Sequence, residues 1–168
     1  MSRWEATSTK QLEEISGLIH DSYFDLDDVE YDAAAGTLSV AFAQSQDWSP
    51  LSLDPAWHDA PQTEVLAKTR GYTEERVPFV RGLLVVTQVV SATLDSAAGE
   101  AAMLLGIGYE EAVRELTIEG VSGNLVARVK RLHVVAELQP NEIALYVRRR
   151  RGRIGESEVP LWGWTPDG

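Results

Sequence analysis

Val29-Glu30-Tyr31-Asp32, a turn ending at Gly36, and Thr37-Leu38-Ser39-Val40-Ala41-Phe42 spell a hairpin in alternating apolar and polar residues. The plan returns in Leu116-Thr117-Ile118-Glu119, a turn ending at Gly123, and Asn124-Leu125-Val126-Ala127-Arg128-Val129, which falls on the first copy without a gap. Val134 to Leu138, the turn Gln139-Pro140-Asn141-Glu142, and Ile143-Ala144-Leu145-Tyr146-Val147 read as a third. Successive strand side chains point to opposite faces, so this alternation around short turns predicts antiparallel ribbons with one buried face. The expected class is α+β, mainly β: a curved antiparallel sheet or two-layer β structure of about eight strands with an N-terminal amphipathic helix.

That helix is read from Ser8 and Gln11, which have capping-box spacing, followed by Leu12, Ile15, Leu18 and Ile19 on one helical face. It should run from Thr9 to about His20. Leu83-Leu84-Val85-Val86-Thr87-Gln88-Val89-Val90 is nearly continuous and β-branched, which predicts a central strand buried on both faces. Ala101 to Leu105 would suit a helix, but Gly106 and Gly108 each weaken one by about 1 kcal/mol, so 101–109 is read as strand. Val159 to Trp164 contains Pro160, which fits only an edge strand. Residues 44–62, with Pro50, Pro55 and Pro61, form a long loop.

No composition break divides the 168 residues, so a single domain over 1–168 is expected. Forty-four per cent apolar and 24% charged residues are ordinary globular values. The chain has no cysteine, which excludes disulfides, thiolate catalysis and thiolate zinc sites. Met1-Ser2-Arg3-Trp4-Glu5 shows no apolar stretch behind a basic start, so no signal peptide is expected. The longest apolar runs fall far short of the ~20 residues of a membrane helix. The expected location is the cytoplasm, with no membrane partner.

The net charge of −11 is unevenly placed. Residues 1–36 carry nine acids against Arg3 and Lys10, whereas residues 128–153 carry eight bases against Glu137 and Glu142. An acidic whole disfavours nucleic-acid binding, because phosphate contacts supply most of that affinity. The basic strip also lacks aromatics at stacking spacing.

The densest carboxylate cluster is Asp25-Leu26-Asp27-Asp28-Val29-Glu30-Tyr31-Asp32. A calcium loop starting at Asp25 would need an oxygen ligand at Val29, glycine at Glu30 and an acid at Gly36, so that motif fails. On an extended strand Asp28, Glu30 and Asp32 would share one face, with Val29 and Tyr31 on the other. Arg148 and Arg150 should point one way on the last strand of the third hairpin, and Arg128 and Lys130 should continue a basic face on another. Such a strip needs anions, supplied within the fold, across a dimer or by an external partner.

His20, His58 and His133 show no metal-binding spacing, and no metal is expected. His20-Asp21 is a possible acid–base pair, although a histidine ending a helix more often meets the free carbonyls there. Gly120-Val121-Ser122-Gly123-Asn124 lacks the final glycine of a nucleophile elbow and reads as a hairpin turn. Gly106-Ile107-Gly108-Tyr109-Glu110-Glu111 lacks the third glycine of a dinucleotide fingerprint, so no cofactor is expected. These negatives together point away from catalysis.

Leu18-Ile19-His20-Asp21-Ser22, then Val29-Glu30-Tyr31-Asp32 and Gly36-Thr37-Leu38-Ser39-Val40, resembles the opening of small bacterial β-rich proteins, some of them regarded as immunity proteins against polymorphic toxins. The likeness covers residues 18–42, with a looser echo from Leu116 to Val129. It implies a compact non-enzymatic fold that masks another protein. The leading expectation is thus a protein-binding module using Asp25, Asp27, Asp28, Glu30 and Asp32 against a basic partner. The alternative is a small-ligand-binding β domain or weak enzyme, its site lined by Trp48, Trp57, His58, Asp59, Trp162 and Trp164. A third possibility is a homo-oligomer joined through the acidic and basic strips.

Overall fold

The computed structural model describes residues 3–45, 64–69, 72–96, 102–120, 123–151 and 163–166. They form one helix, α1 (Thr9–Ile19), and eleven strands: β1 (Arg3–Ala6), β2 (Tyr23–Asp32), β3 (Thr37–Ser45), β4 (Glu64–Thr69), β5 (Tyr72–Val86), β6 (Val89–Ser96), β7 (Ala102–Glu110), β8 (Glu115–Gly120), β9 (Gly123–Val129), β10 (Val134–Arg151) and β11 (Gly163–Pro166). The fold is α+β and mainly β, as expected, with three strands more than anticipated.

The strands make antiparallel sheets of seven and four members, not closed into a barrel. The main path runs β1-β10-β5-β3-β2 and then β7-β8-β9-β6, with β11 beside β10 and β4 beside β5. Among the described residues, the ladder between the sheets pairs Tyr23 with Met103 and Phe24 with Ala102. The chain divides into two compact units: residues 1–44 with 81–140, and residues 45–80 with 141–168. Strands β5 and β10 run through both.

In the first unit, α1 begins where the capping residues place it. The Ser8 hydroxyl accepts from the Gln11 N–H at 3.3 Å, and Gln11 Oε1 accepts from the Thr7 N–H at 3.0 Å, one residue before the position a standard capping box uses. Leu12, Ile15 and Ile19 are buried and Leu18 half-buried; each full burial contributes about 1.5–3 kcal/mol. The helix lies on β7, and the Ser16 hydroxyl accepts from the Ile107 N–H at 3.0 Å. This is beside the register shift between Leu104 and Gly106 in the β7–β8 ladder. The extended backbone over 102–110 agrees with the strand reading, and Gly106 allows close approach: a Cβ there would lie 2.9 Å from the Ser16 oxygen.

Both leading hairpins form as read. Asp32 pairs with Thr37 and Val29 with Val40, while Glu119 pairs with Asn124 and Leu116 with Ala127. The alternation is literal on their inner faces: Leu38, Val40, Leu116, Ile118, Leu125 and Ala127 are all buried.

Two expectations are corrected. The third hairpin does not exist, because β10 continues through 139–142 without turning. The sheet order places β10 between β1 and β5, and its far end pairs with β11, so the flanks to which 143–147 would have returned are taken. The run 83–90 is two strands rather than one. Strand β5 does lie centrally, between β10 and β3, but it stops at Val86. Gln88 turns the chain with φ +61°, and β6 starts at Val89. Leu84, Val86 and Val89 are buried while Gln88 and Val90 are exposed, so burial alternates.

A chain of side chains pins that turn. Thr87 Oγ1 lies 2.6 Å from His133 Nδ1, and His133 Nε2 lies 2.7 Å from Glu5 Oε1. A carboxylate only accepts, so Nε2 carries the hydrogen, and in a neutral ring Nδ1 accepts from the Thr87 hydroxyl. The Thr87 N–H also donates to the His133 carbonyl at 3.1 Å. His133 is therefore a satisfied strand-end residue that ties β1 to the β5–β6 turn.

The second unit contains the β4–β5 hairpin, with Glu64 opposite Arg76 and their side chains 3.2 Å apart. It also contains the β10–β11 pair, with Arg148 opposite Trp164.

Two outcomes follow for stability. A Cβ at Gly82 would lie 2.3–2.9 Å from ring atoms of Phe42, which is itself buried. Gly82→Ala should cost about 1–3 kcal/mol in urea unfolding by overpacking. The cost should shrink in a Phe42→Leu background, because residues in contact do not act additively. His133→Ala, which removes both side-chain bonds, should lower stability by about 1–2 kcal/mol in the same assay, whereas Glu5→Gln, whose amide oxygen still accepts, should cost less.

Candidate functional site

The acidic cluster is not the regular strand face that the sequence pattern predicts. Phe24 pairs with Phe42 and Val29 with Val40, so Asp25, Leu26, Asp27 and Asp28 all stand opposite the single residue Ala41. The surplus backbone bulges out of the ladder, a device that is over-represented at sheet edges and beside functional sites. The side chains of Asp25, Asp27 and Asp28 lie outside the described residues. Beyond the bulge, Glu30 and Asp32 share one face of β2, and both are exposed. Their cross-strand neighbours on that face are Ser39 and Thr37, which bring hydroxyls and no charge.

Val29 and Tyr31 take the other face with Leu38 and Val40. Tyr31 sits at the margin of this buried face, 38% exposed, and its hydroxyl donates to the Val90 carbonyl at 3.3 Å. Val90 is 58% exposed. The turn beneath is rigid: Asp32 Oδ1 accepts from the Ala35 N–H at 3.0 Å, and the Gly36 carbonyl accepts from the Val89 N–H at 2.9 Å. Gly36 has φ +62°, and a Cβ there would meet the Val89 carbonyl oxygen at 3.0 Å, so this position suits glycine on both counts.

From Val29 to Asp32, β2 pairs with β3 alone among the described residues, since β7 reaches only Tyr23 and Phe24. Among those residues Glu13, Glu14, Glu30 and Asp32 form no ion pair. The result is a strand edge with an exposed tyrosine and valine on one side and two unneutralised carboxylates on the other. Exposed and without an ion pair among the described residues, these carboxylates attract cations.

The bases of the basic strip stand on different strands, as the sequence pattern has them. Arg128 lies in β9, whose neighbours are β8 and β6, whereas Arg148 and Arg150 belong to β10, whose neighbours are β1, β5 and β11. Arg128 stands opposite Glu115, an acid from its own hairpin rather than from the N-terminal third. Lys130 follows the strand and is exposed. The side chains of Arg148 and Arg150 lie outside the described residues.

His20 closes α1, its N–H donating to the Ser16 carbonyl, while its ring Nδ1 lies 3.1 Å from Asp21 Oδ2 on the exposed surface. Trp48, Trp57, His58, Asp59 and Trp162 lie outside the described residues. Trp164 is placed by its backbone in β11. The Thr87–His133–Glu5 chain and the Tyr31–Val90 contact escape sequence reading, because their members stand 46, 128 and 59 residues apart with no motif between them. Among the described residues no three His, Asp or Glu side chains group to hold a metal ion, and no helix is long and apolar enough to cross a membrane. No protein family, curated protein or solved structure matches the chain.

Proposed function

We propose that this chain is a protein-binding module that presents the β2 edge to a basic partner in the cytoplasm, in the masking role that its resemblance to immunity proteins implies. The observation that carries the reading is the open edge from Val29 to Asp32, with Tyr31 and Val90 exposed beside it and Glu30 and Asp32 unneutralised across it. Tyrosine is among the residues that dominate binding energy at interfaces, and a rim of one sign of charge steers encounter with the opposite sign. An open edge also offers backbone donors and acceptors to an added strand. The bulge at Asp25–Asp28 places further acids at the end of the same edge.

A partner bound this way engages both sides of the strand. Its apolar atoms cover Tyr31 and Val90, and its Lys or Arg side chains meet Glu30 and Asp32. Association is then fast at low salt and slower as salt screens the charges.

Affinity purification from the native cells at near-physiological salt tests the proposal. The wild type should retain a specific basic protein that the Glu30→Lys/Asp32→Lys variant does not. Tyr31→Ala should weaken that complex by about tenfold or more. Recovery of the same proteins by the charge-reversed variant, or of no specific protein by the wild type, would reject the reading.

A further inference from the structure

We propose a second site on the first unit, opposite in charge to the β2 edge: a cation-lined cavity that binds a small ligand through a phosphoryl group. Its volume is about 360 Å³, and its wall includes Arg114, Lys130 and Arg131. These three bases come from two segments, the β7–β8 turn and the stretch following β9. All three are exposed, and none forms an ion pair among the described residues. Among the described residues one carboxylate, Glu111, shares the wall, which leaves an excess of two positive charges there in a chain whose net charge is −11.

Three cations brought to one concavity repel one another, and that repulsion is relieved by an anion held between them. Two of the positions are fixed by backbone bonds. The Arg114 carbonyl accepts from the Val129 N–H at 2.9 Å, and the Lys130 N–H donates to the Gln88 carbonyl at 2.9 Å. The cations therefore stand on a preformed frame, which lowers the cost of ordering them around a ligand.

Charge and size select the ligand class. A phosphate monoester carries about −1.5 to −2 at neutral pH, matching the excess positive charge, and guanidinium groups grip its oxygens in paired hydrogen bonds. The volume falls at the lower end of small-molecule sites, too small for a folded partner. Tyr109 in the wall offers a flat face to the organic part of the ligand. Thr9 in the first turn of α1 adds a hydroxyl to the wall, but the three side-chain cations carry the inference. Arg128, grouped with Lys130 by sequence pattern, is not among the described residues of this wall.

Calorimetric titration and thermal melting with inorganic phosphate and pyrophosphate, at ionic strength held constant with sodium chloride, test the site. Pyrophosphate should bind saturably and raise the melting temperature. Lys130→Ala and Arg131→Ala should each weaken it by about tenfold, and Glu111→Gln should strengthen it. Arg128→Ala removes a charge outside the wall and should leave the affinity unchanged. Absence of saturable binding at millimolar pyrophosphate would overturn the proposal. So would an Arg128→Ala loss equal to that of Lys130→Ala, since the binding would then reflect the diffuse field of the surface.

Discussion

The structure of the first unit depends on how the edge of β7 is satisfied. Buried backbone N–H and C=O groups must find partners, and β2 supplies a ladder for only two residues of β7. Past Met103 the helix and its exit take over: the Ser22 carbonyl accepts from the Leu104 N–H, the Leu104 carbonyl accepts from the Asp21 N–H, and the Ser16 hydroxyl accepts from the Ile107 N–H. Asp21 adopts φ +64° where the chain leaves α1 and meets this edge. The helix thus does more than bury Leu12, Ile15 and Ile19. It continues a sheet that would otherwise stop, and through it the four-strand sheet is held to the seven-strand one. Gln44 on β3 adds a further tie by donating from its amide to the Leu18 carbonyl in the last turn of α1.

Legibility in the sequence follows the range of the interactions. The two true hairpins rest on alternation within a dozen residues and on turns ending in glycine, so they could be read directly. The capping of α1 by Ser8 and Gln11 is equally local. The false hairpin at Gln139-Pro140-Asn141-Glu142 has strong local turn chemistry, which was overridden because partners from both chain ends line β10. The turn at Thr87-Gln88 has the opposite problem. It contains no glycine or proline, and a glutamine in the left-handed region is held by Thr87, His133 and Glu5, none of which marks a turn by type. The acidic cluster was visible as composition, but its bulge depends on where β3 pairs, which no residue within the cluster records.

Charge in this molecule is organised by segment, and among the described residues few ion pairs join the segments. Among the described residues only Arg3 with Glu137 and Glu5 with His133 join the acidic N-terminal third to the basic C-terminal region, and both contacts lie along the β1–β10 edge. The Arg3–Glu137 pair is exposed on both sides and contributes little to stability. Glu30 and Asp32 of β2 and Lys130 and Arg131 after β9 are left to solvent on separate elements. Their electrostatic free energy is therefore available to whatever approaches, which is why both proposed sites are defined by charges without internal partners.

An open strand edge is ordinarily a hazard, because any other strand can pair with it. The β2 edge carries two of the usual protections, a bulge and charged side chains. Both protections discriminate among partners. A second copy brings Glu30 and Asp32 against the same two residues, and like charges opposed across a ladder are destabilising. A lysine- or arginine-bearing segment meets the same carboxylates favourably. On the proposed reading, the acids that oppose self-pairing along this edge are the acids that would admit a basic partner, and the exposed tyrosine beside them would supply the apolar contact that charge alone does not. One row of residues would then serve both to discourage self-pairing and to select the partner.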